Sequence, residues 1–317
     1  MLDNKPFPIP VNYFALTLGL SSLGFAWRYA ATVINVPAWS GELIGLFASV
    51  VWALFVIVYV YKWINYPQLA RAEVIHPITG CFVSLMFISG IFVGLILKPY
   101  TILGEYISFT CIALQVSYAV YRSAGLWQGR QPQEFTTPAL YLPIVPANWV
   151  SAIGLVLLGE PDVAILFFGA GCLFWIMIEP TIQQRLRNIA DMPMALRPTL
   201  GIQLAPAFVC CSSYLTINGG EIDFIVKMLM GYGVLQFFFI SRLLGWMGIF
   251  RHFHVGYWAI SFGLAAMAGD GIHIYAMSHG QGAGIVGLPM FWVGSCSIGL
   301  LFIATLGLVL KGKFLLK

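Results

Sequence analysis

The sequence predicts an all-α integral membrane protein: ten transmembrane helices, paired as five helical hairpins around a central pore. Three observations lead there. Of the 317 residues, 60% are hydrophobic and only 9% are charged, whereas soluble domains carry roughly 25% charged residues. The apolar residues gather into ten segments, at about 11–33, 41–63, 78–97, 101–121, 139–158, 163–184, 199–217, 222–246, 255–277 and 284–310. Helix-breaking residues punctuate those segments at a near-regular spacing.

Each segment can cross a hydrocarbon layer of about 30 Å as a helix. Helices are required, because hydrocarbon cannot satisfy an open backbone. The linking stretches are short, so residues 1–317 read as one transmembrane domain. The opening run "MLDNKPFPIPVNYF" has one Lys, Lys5, and three prolines, Pro6, Pro8 and Pro10. It does not match a secretory signal, so the first span is expected to persist in the mature protein.

Odd-numbered spans begin near Pro8, Pro77, Pro138, Pro198 and His254, with gaps of 69, 61, 60 and 56 residues. A period near 60 residues is one helical hairpin, repeated five times. The hairpins fall at about 8–63, 77–121, 138–187, 198–246 and 254–310. Interior kink-formers favour the odd spans: Pro143 and Pro146 in the fifth, Pro206 in the seventh, Gly256 and Gly263 in the ninth. Among even spans, Pro180 and Pro289 are the exceptions. A proline bends a helix and frees a carbonyl, which predicts five kinked inner helices ringed by five straighter outer ones. In the second and third spans, Gly41-x-x-x-Gly45 and Gly90-x-x-x-Gly94 allow backbones to approach, within the chain or between copies of it.

Charge orients the array. Lys5, Lys62, Arg71, Arg122, Arg130, Arg185, Arg187, Arg197, Arg242, Arg251, Lys311, Lys313 and Lys317 fall on one side. Only Arg28, Lys98 and Lys227 fall on the other. The positive-inside rule then puts both termini in the cytoplasm.

The sequence holds no P-loop, no H-E-x-x-H and no G-x-S-x-G. That argues against a nucleotide-driven pump or a zinc protease, and no enzyme, cofactor or metal is expected. No nucleic-acid partner is expected either; membrane lipids are. The five histidines, His76, His252, His254, His273 and His279, lie near span ends and read as interfacial. The six cysteines lie in apolar stretches without a C-x-x-C pair and read as small buried hydrophobes. Adjacent Cys210 and Cys211 are the one oddity.

Ionisable groups inside a membrane invite a functional reading. Two come close here: Glu179, toward the cytoplasmic end of span six, and Asp270, toward the outer end of span nine. Either could couple transport to protons. Arg185 and Arg187 lie one or two turns from Glu179, which predicts an interfacial ion pair. A pathway through such a chain is lined by apolar groups, hydroxyls and backbone, with ions held weakly and passing when a constriction opens.

"WAISFGLAAMAG", residues 258–269, sets one bulky ring, Phe262, among small residues. Phe262 is eight residues past His254, about 12 Å along a helix and near mid-bilayer. Its neighbours one turn away are Trp258, Ala259, Ala265 and Ala266, which leaves the ring room to swing outward. Phe14, Phe82, Trp149 and Phe208 are comparable aromatics on other odd spans. With 24 Phe in the chain, position alone leaves Phe262 open between gate and core filler.

Several stretches bear a resemblance: "GLWQG" (125–129), "FFGAGCLFWIMIEP" (167–180), "LGIQLAPAFVCCSSYLTINGGEID" (200–223), "GYGVLQFFFISRLLGW" (231–246) and "SFGLAAMA" (261–268). They are similar to the tellurite-resistance/dicarboxylate transporter family, which includes plant guard-cell slow anion channels and yeast malate permeases. The resemblance implies a quasi-fivefold pore, a homotrimer, small inorganic or organic anions as the permeant partners, and the bacterial inner membrane. It implies a pore occluded by a phenylalanine of span nine, here Phe262, and a lining drawn from Phe14, Leu18, Leu85, Trp149, Val209 and Gly263. The family's Phe-Gly-x-Pro run in span one reads Phe14-Ala15-Leu16-Thr17 here, without its two kink-formers. Two rival readings are a proton-coupled carrier for dicarboxylate or tellurite, through Glu179 or Asp270, and a membrane role without transport.

Overall fold

A computed structural model describes residues 7–129, 135–187 and 192–315 of the chain, and among them are twelve α-helices. They are α1 (Phe14–Val33), α2 (Ala38–Asn65), α3 (Pro67–Ile75), α4 (Thr79–Phe82), α5 (Ser84–Leu97), α6 (Leu103–Leu126), α7 (Pro146–Leu157), α8 (Pro161–Arg187), α9 (Ala205–Ile217), α10 (Phe224–Met247), α11 (Ser261–Met277) and α12 (Gly287–Leu310). No strand occurs among the described residues. Eight helical stretches are long and apolar enough to cross a membrane.

The helices form two layers. In the stretches containing α5, α7 and α9, 83%, 83% and 78% of the most apolar window is buried. The corresponding values for α2, α6, α8, α10 and α12 are 28%, 28%, 11%, 33% and 28%. The second group therefore presents apolar faces outward, with Ile57, Leu166, Phe238 and Leu300 among the exposed side chains. Lipid solvates such side chains as well as a protein interior does.

α1 and α11 are the two expected spans outside those eight. The reason is their position. Thirteen of the 20 residues of α1 and twelve of the 17 of α11 are buried, and the two helices pack against each other. Screened from lipid by their neighbours, they carry Ser21, Ser22, Ser261 and Asp270 without exposing them to hydrocarbon.

The prolines of the odd segments do not kink continuous helices. Pro138, Pro146, Pro198 and Pro206 sit in the first turns of helical pieces, where the missing N–H costs nothing. Each buried segment begins with a short turn: 3-10 turns at Val11–Tyr13, Pro138–Tyr141, Arg197–Leu204 and Val255–Ile260, and the single turn α4. An α-helix then follows. α1 runs unbroken through Ala15 and Thr17, with the Thr17 hydroxyl donating to the Phe14 carbonyl at 2.9 Å.

Both glycine pairs serve packing inside the chain. A Cβ on Gly41 would stand 2.5 Å from the Arg28 nitrogen, and one on Gly24 3.0 Å from Gly45 Cα, so α1 and α2 touch backbone to backbone. Cβ atoms on Gly90 and Gly94 would stand 2.4 Å from Cys111 Sγ and 2.2 Å from Ser108 Oγ of α6.

Polar contacts sort the two ends. At one end Lys62 pairs with Glu73 at 2.7 Å, Tyr13 donates to the Phe314 carbonyl, and Arg197 donates to the Trp246 carbonyl. At the other end Arg28 pairs with Glu42 at 2.5 Å and Lys98 with Glu105 at 3.5 Å. Lys5, Arg130 and Lys317 lie outside the described residues. Asp223 caps α10, accepting from the Val226 N–H at 3.0 Å and the Tyr214 hydroxyl at 2.5 Å, and these bonds hold its carboxyl below the usual 3.8.

The α1–α2 contact generates a stability prediction. Gly41→Ala forces Cβ into the Arg28 backbone and should cost about 1–3 kcal/mol. Gly169→Ala on α8 meets nothing within 4 Å and should be neutral or stabilising by up to about 1 kcal/mol. Thermal melting of the detergent-solubilised protein separates the two outcomes.

Candidate functional site

The buried segments enclose two cavities stacked along the direction of the helices. The first lies toward the end that holds Lys62 and Arg197. It has a volume of about 10 Å³ and is lined by Ala15, Leu18, Phe82, Leu85, Leu142, Ile202, Ala205, Trp258, Ala259 and Phe262. All five buried segments contribute, and every lining side chain is apolar apart from the Trp258 indole nitrogen. That nitrogen is already engaged, donating to Thr305 Oγ1 at 2.8 Å. A cavity needs at least about 10–15 Å³ by this measure to hold one water, and two or more polar partners to keep it.

The second cavity, toward the opposite end, measures about 220 Å³. Its polar lining comprises Ser22 and Tyr29 of α1, Ser212 and Thr216 of α9, and Asp270 and His273 of α11. Phe25, Phe92 and Ile153 are among its apolar lining. Neither Lys nor Arg lines either cavity.

Phe262 stands at the junction. Its ring lines the small cavity, while Ala265 and Ala266, one turn further along α11, line the large one. The ring meets Phe92 edge-on, centroids 6.2 Å apart. Trp258 and Ala259, one turn back, lie on the small-cavity side. α11 is pressed toward the neighbouring wall by Gly263, whose Cβ would lie 2.8 Å from the Leu204 side chain.

Leu18 and Leu85 join Phe262 around the small cavity. Four other sequence candidates lie in the lining of neither. Phe14 turns to α2, edge-on to Phe55 at 5.8 Å. Trp149 packs edge-on to Trp175 at 5.5 Å, beneath Gly171. Val209 is buried inside α9, and Gly263 is taken up by Leu204. Phe82, Leu142, Ile202 and Trp258, with Ala15, Ala205 and Ala259, complete the small cavity. Of these, Phe82 stood out in the sequence as an odd-span aromatic, Trp258 and Ala259 as turn neighbours of Phe262, and Ala15 in the altered run of span one; nothing local marked Leu142, Ile202 and Ala205, each one apolar residue among many.

The expected ion pair of Glu179 with Arg185 and Arg187 is not formed. Among the described residues the ion pairs are Arg28–Glu42, Lys62–Glu73 and Lys98–Glu105. Arg185 points about 240° round the helix from Glu179, and Arg187 lies about 12 Å along it. Glu179 instead accepts from neutral donors. Oε2 takes the Tyr141 hydroxyl and the Trp175 indole N–H at 2.9 Å. Oε1 takes the amides of Gln183 at 2.7 Å and Gln203 at 2.9 Å, with the Tyr232 hydroxyl at 3.4 Å. Tyr141 and Gln203 each adjoin a residue of the small cavity, Leu142 and Ile202. The carboxylate therefore ties α8 and α10 to the two irregular turns that form the cavity wall.

Asp270 is 2% exposed. Its Oδ1 accepts from the Ser212 hydroxyl at 2.6 Å, and its Oδ2 has no hydrogen-bond partner. His273 Nε2 lies 2.9 Å from the Gly220 carbonyl, and its ring stacks on Tyr29. The cysteines are mostly buried, as expected, but Cys296 is exposed and Cys172 half-buried. Cys210 approaches Cys172 of α8, Sγ to Sγ 3.9 Å.

Residues 8–306 match the family model described as "voltage-dependent anion channel" (SLAC1). The chain belongs to this family. It is 41% identical to a "tellurite resistance protein TehA homolog" of Haemophilus influenzae, over 99% of this chain and 94% of that one. It is also 24% identical to the S-type anion channel SLAH3 of Arabidopsis thaliana, over 84% of this chain and 44% of that one. The chain thus spans under half the length of that plant relative. An uncharacterized transporter of Methanocaldococcus jannaschii matches at 20% over 62% of this chain and 61% of its own. As a member of the SLAC1 family with eight apolar helices, the chain is a multi-pass membrane protein of anion transport.

Removing the hub carboxylate strands buried donors, at about 1–3 kcal/mol for each. Glu179→Ala should therefore destabilise the protein by at least about 3 kcal/mol. Arg187→Ala, on an exposed side chain, should stay within about 0.5 kcal/mol. Equal loss of melting temperature in the two variants would return Glu179 to the ion-pair reading.

Proposed function

We propose that the chain is a gated anion channel in which Phe262 occludes the pathway. The observation that supports this is the pair of cavities. The large one admits ions to within one helical turn of Phe262, whereas the small one beside the ring offers about 10 Å³ amid apolar groups. An ion there has no water and no polar group to replace its hydration, so the barrier is one of dehydration. Rotation of the ring about χ1 and χ2 toward Ala265 and Ala266 would widen the passage.

Without a fixed charge to grip the ion, selectivity follows dehydration energy, and large, weakly hydrated anions pass more readily. The similarity to a tellurite resistance protein and to S-type anion channels extends the reading to a link with tellurite resistance. In the same reading α1 and α11 join the eight apolar helices to make ten spans. The common start of the five buried segments, a short turn before a helix, supports quasi-fivefold symmetry over hairpins at about 8–63, 77–121, 138–187, 198–246 and 254–310. The basic end faces the cytoplasm of a bacterial inner membrane, with both termini there. Three copies assemble as a homotrimer, each with its own pore.

Phe262→Ala should raise chloride conductance at least about tenfold over wild type in planar bilayers, with Leu85→Ala giving a smaller rise. Unchanged conductance in Phe262→Ala, with the protein folded, overturns the gate. A proton-coupled carrier would instead give flux that saturates with substrate and no unitary current steps.

A further inference from the structure

The walls of the small cavity are anchored from outside, by lipid-facing helices. Trp258, on the wall, donates its indole N–H to Thr305 of α12 at 2.8 Å. The turn α4, which carries Phe82, is held by α6, where the Tyr118 hydroxyl donates to the Gly80 carbonyl. The walls carrying Leu142 and Ile202 share one anchor, Glu179 of α8. Tyr141 precedes Leu142 and gives its hydroxyl to Oε2, and Gln203 follows Ile202 and gives its amide to Oε1 at 2.9 Å. Gln203 also donates to the Tyr141 hydroxyl at 3.3 Å, so the two turns are linked to each other as well. In both turns one side chain lines the passage while its neighbour in sequence bonds to α8 on the far side.

The backbone alone fixes these two walls weakly. Ile202 lies within the 3-10 turn Arg197–Leu204, and Leu142 directly follows the 3-10 turn Pro138–Tyr141. Hydrogen-bond geometry in a 3-10 turn is poorer than in an α-helix. An apolar constriction also sheds water and closes readily, and Leu142 and Ile202 line one. Both bonds to Glu179 draw away from it. The carboxylate is itself held: Trp175 and Gln183, one turn to either side on α8, donate at 2.9 and 2.7 Å, and Tyr232 of α10 at 3.4 Å.

We propose that Glu179 is a positioning residue for permeation. By holding Tyr141 and Gln203 it keeps Leu142 and Ile202 back from the passage, and so sets the size of the largest anion that crosses once Phe262 has moved. It touches no ion itself. This rests on the gated-channel reading, in which the small cavity is the narrowest part of the path. A role as a fixed charge has the opposite sign. A carboxylate repels anions, so its removal as a charge raises anion conductance, whereas its removal as an anchor lowers it.

The test uses Phe262→Ala channels in planar bilayers, with chloride on one side and methanesulfonate, a larger anion of the same charge, on the other. Single-channel conductance and reversal potential do not depend on how many channels fold or insert, so a merely structural role leaves both unmoved. Adding Tyr141→Phe and Gln203→Leu removes both grips and leaves the charge. The methanesulfonate-to-chloride permeability ratio should then fall about two- to tenfold, the effect of a barrier raised by the worth of one hydrogen bond, with a lower chloride conductance. Glu179→Ala in the same background should fall at least as far. Gln183→Leu cuts a bond to Glu179 that reaches no wall and should leave both readouts at the Phe262→Ala values. A ratio unchanged or raised by the Tyr141 and Gln203 substitutions, a rise in Glu179→Ala, or an equal fall in Gln183→Leu overturns the proposal. If Glu179→Ala does not fold, the Tyr141 and Gln203 substitutions decide. A silent Phe262→Ala parent counts against the gate alone. The same ratio is then taken from chloride and methanesulfonate efflux out of proteoliposomes holding the chain with Phe262 in place, and the same outcomes decide.

Discussion

In hydrocarbon, helices gain little by burying apolar side chains against one another, so this molecule depends on close backbone contact between neighbouring helices. The α1–α2 and α5–α6 pairs show it directly. Gly24, Gly41, Gly90 and Gly94 stand where any side chain would strike the facing helix. Tight pairing draws the outer helices onto the inner ones. The inner helices are thereby removed from lipid, and only then can they carry hydroxyls, a buried carboxylate and helical starts broken into short turns. The same constraint operates where Gly263 lets α11 lean on Leu204, which sets where Phe262 stands.

Polar chemistry in the molecule is spent unevenly. Glu179 is saturated by neutral donors from four parts of the chain and fixes the turns that carry Leu142 and Ile202. Both its oxygens are occupied by these donors. Asp270 has one oxygen occupied and one without a partner, on the wall of the larger cavity. Two carboxylates that look alike in sequence, one half-buried and one buried, thus differ in how far their oxygens are satisfied.

The contrast between the cavities is a contrast in the cost of dehydration. Around Phe262 the wall offers no donor to an anion, so in the proposed reading passage depends on how wide the space becomes. Beyond it the wall carries Ser22, Ser212 and Thr216, of which Ser212 already donates to Asp270 and Thr216 to the Ser212 carbonyl.

The sequence by itself determined that the chain is helical and lies in a membrane, because length and hydropathy answer directly to the thickness and polarity of the bilayer. It singled out Phe262, Leu18 and Leu85, helped in those three by family resemblance. It misjudged what depends on rotation about a helix axis. Phe14, Trp149 and Val209 sit on buried helices yet lie in the lining of neither cavity, and Arg185 points away from Glu179. Which side of a fully buried helix meets an axis is decided by packing against several neighbours at once, and an apolar helix has no polar stripe to announce it. The meeting of Phe262 with Phe92, and the unpartnered oxygen of Asp270, join residues 170 or more positions apart or depend on a neighbour that fails to arrive. Only the tertiary structure could decide those.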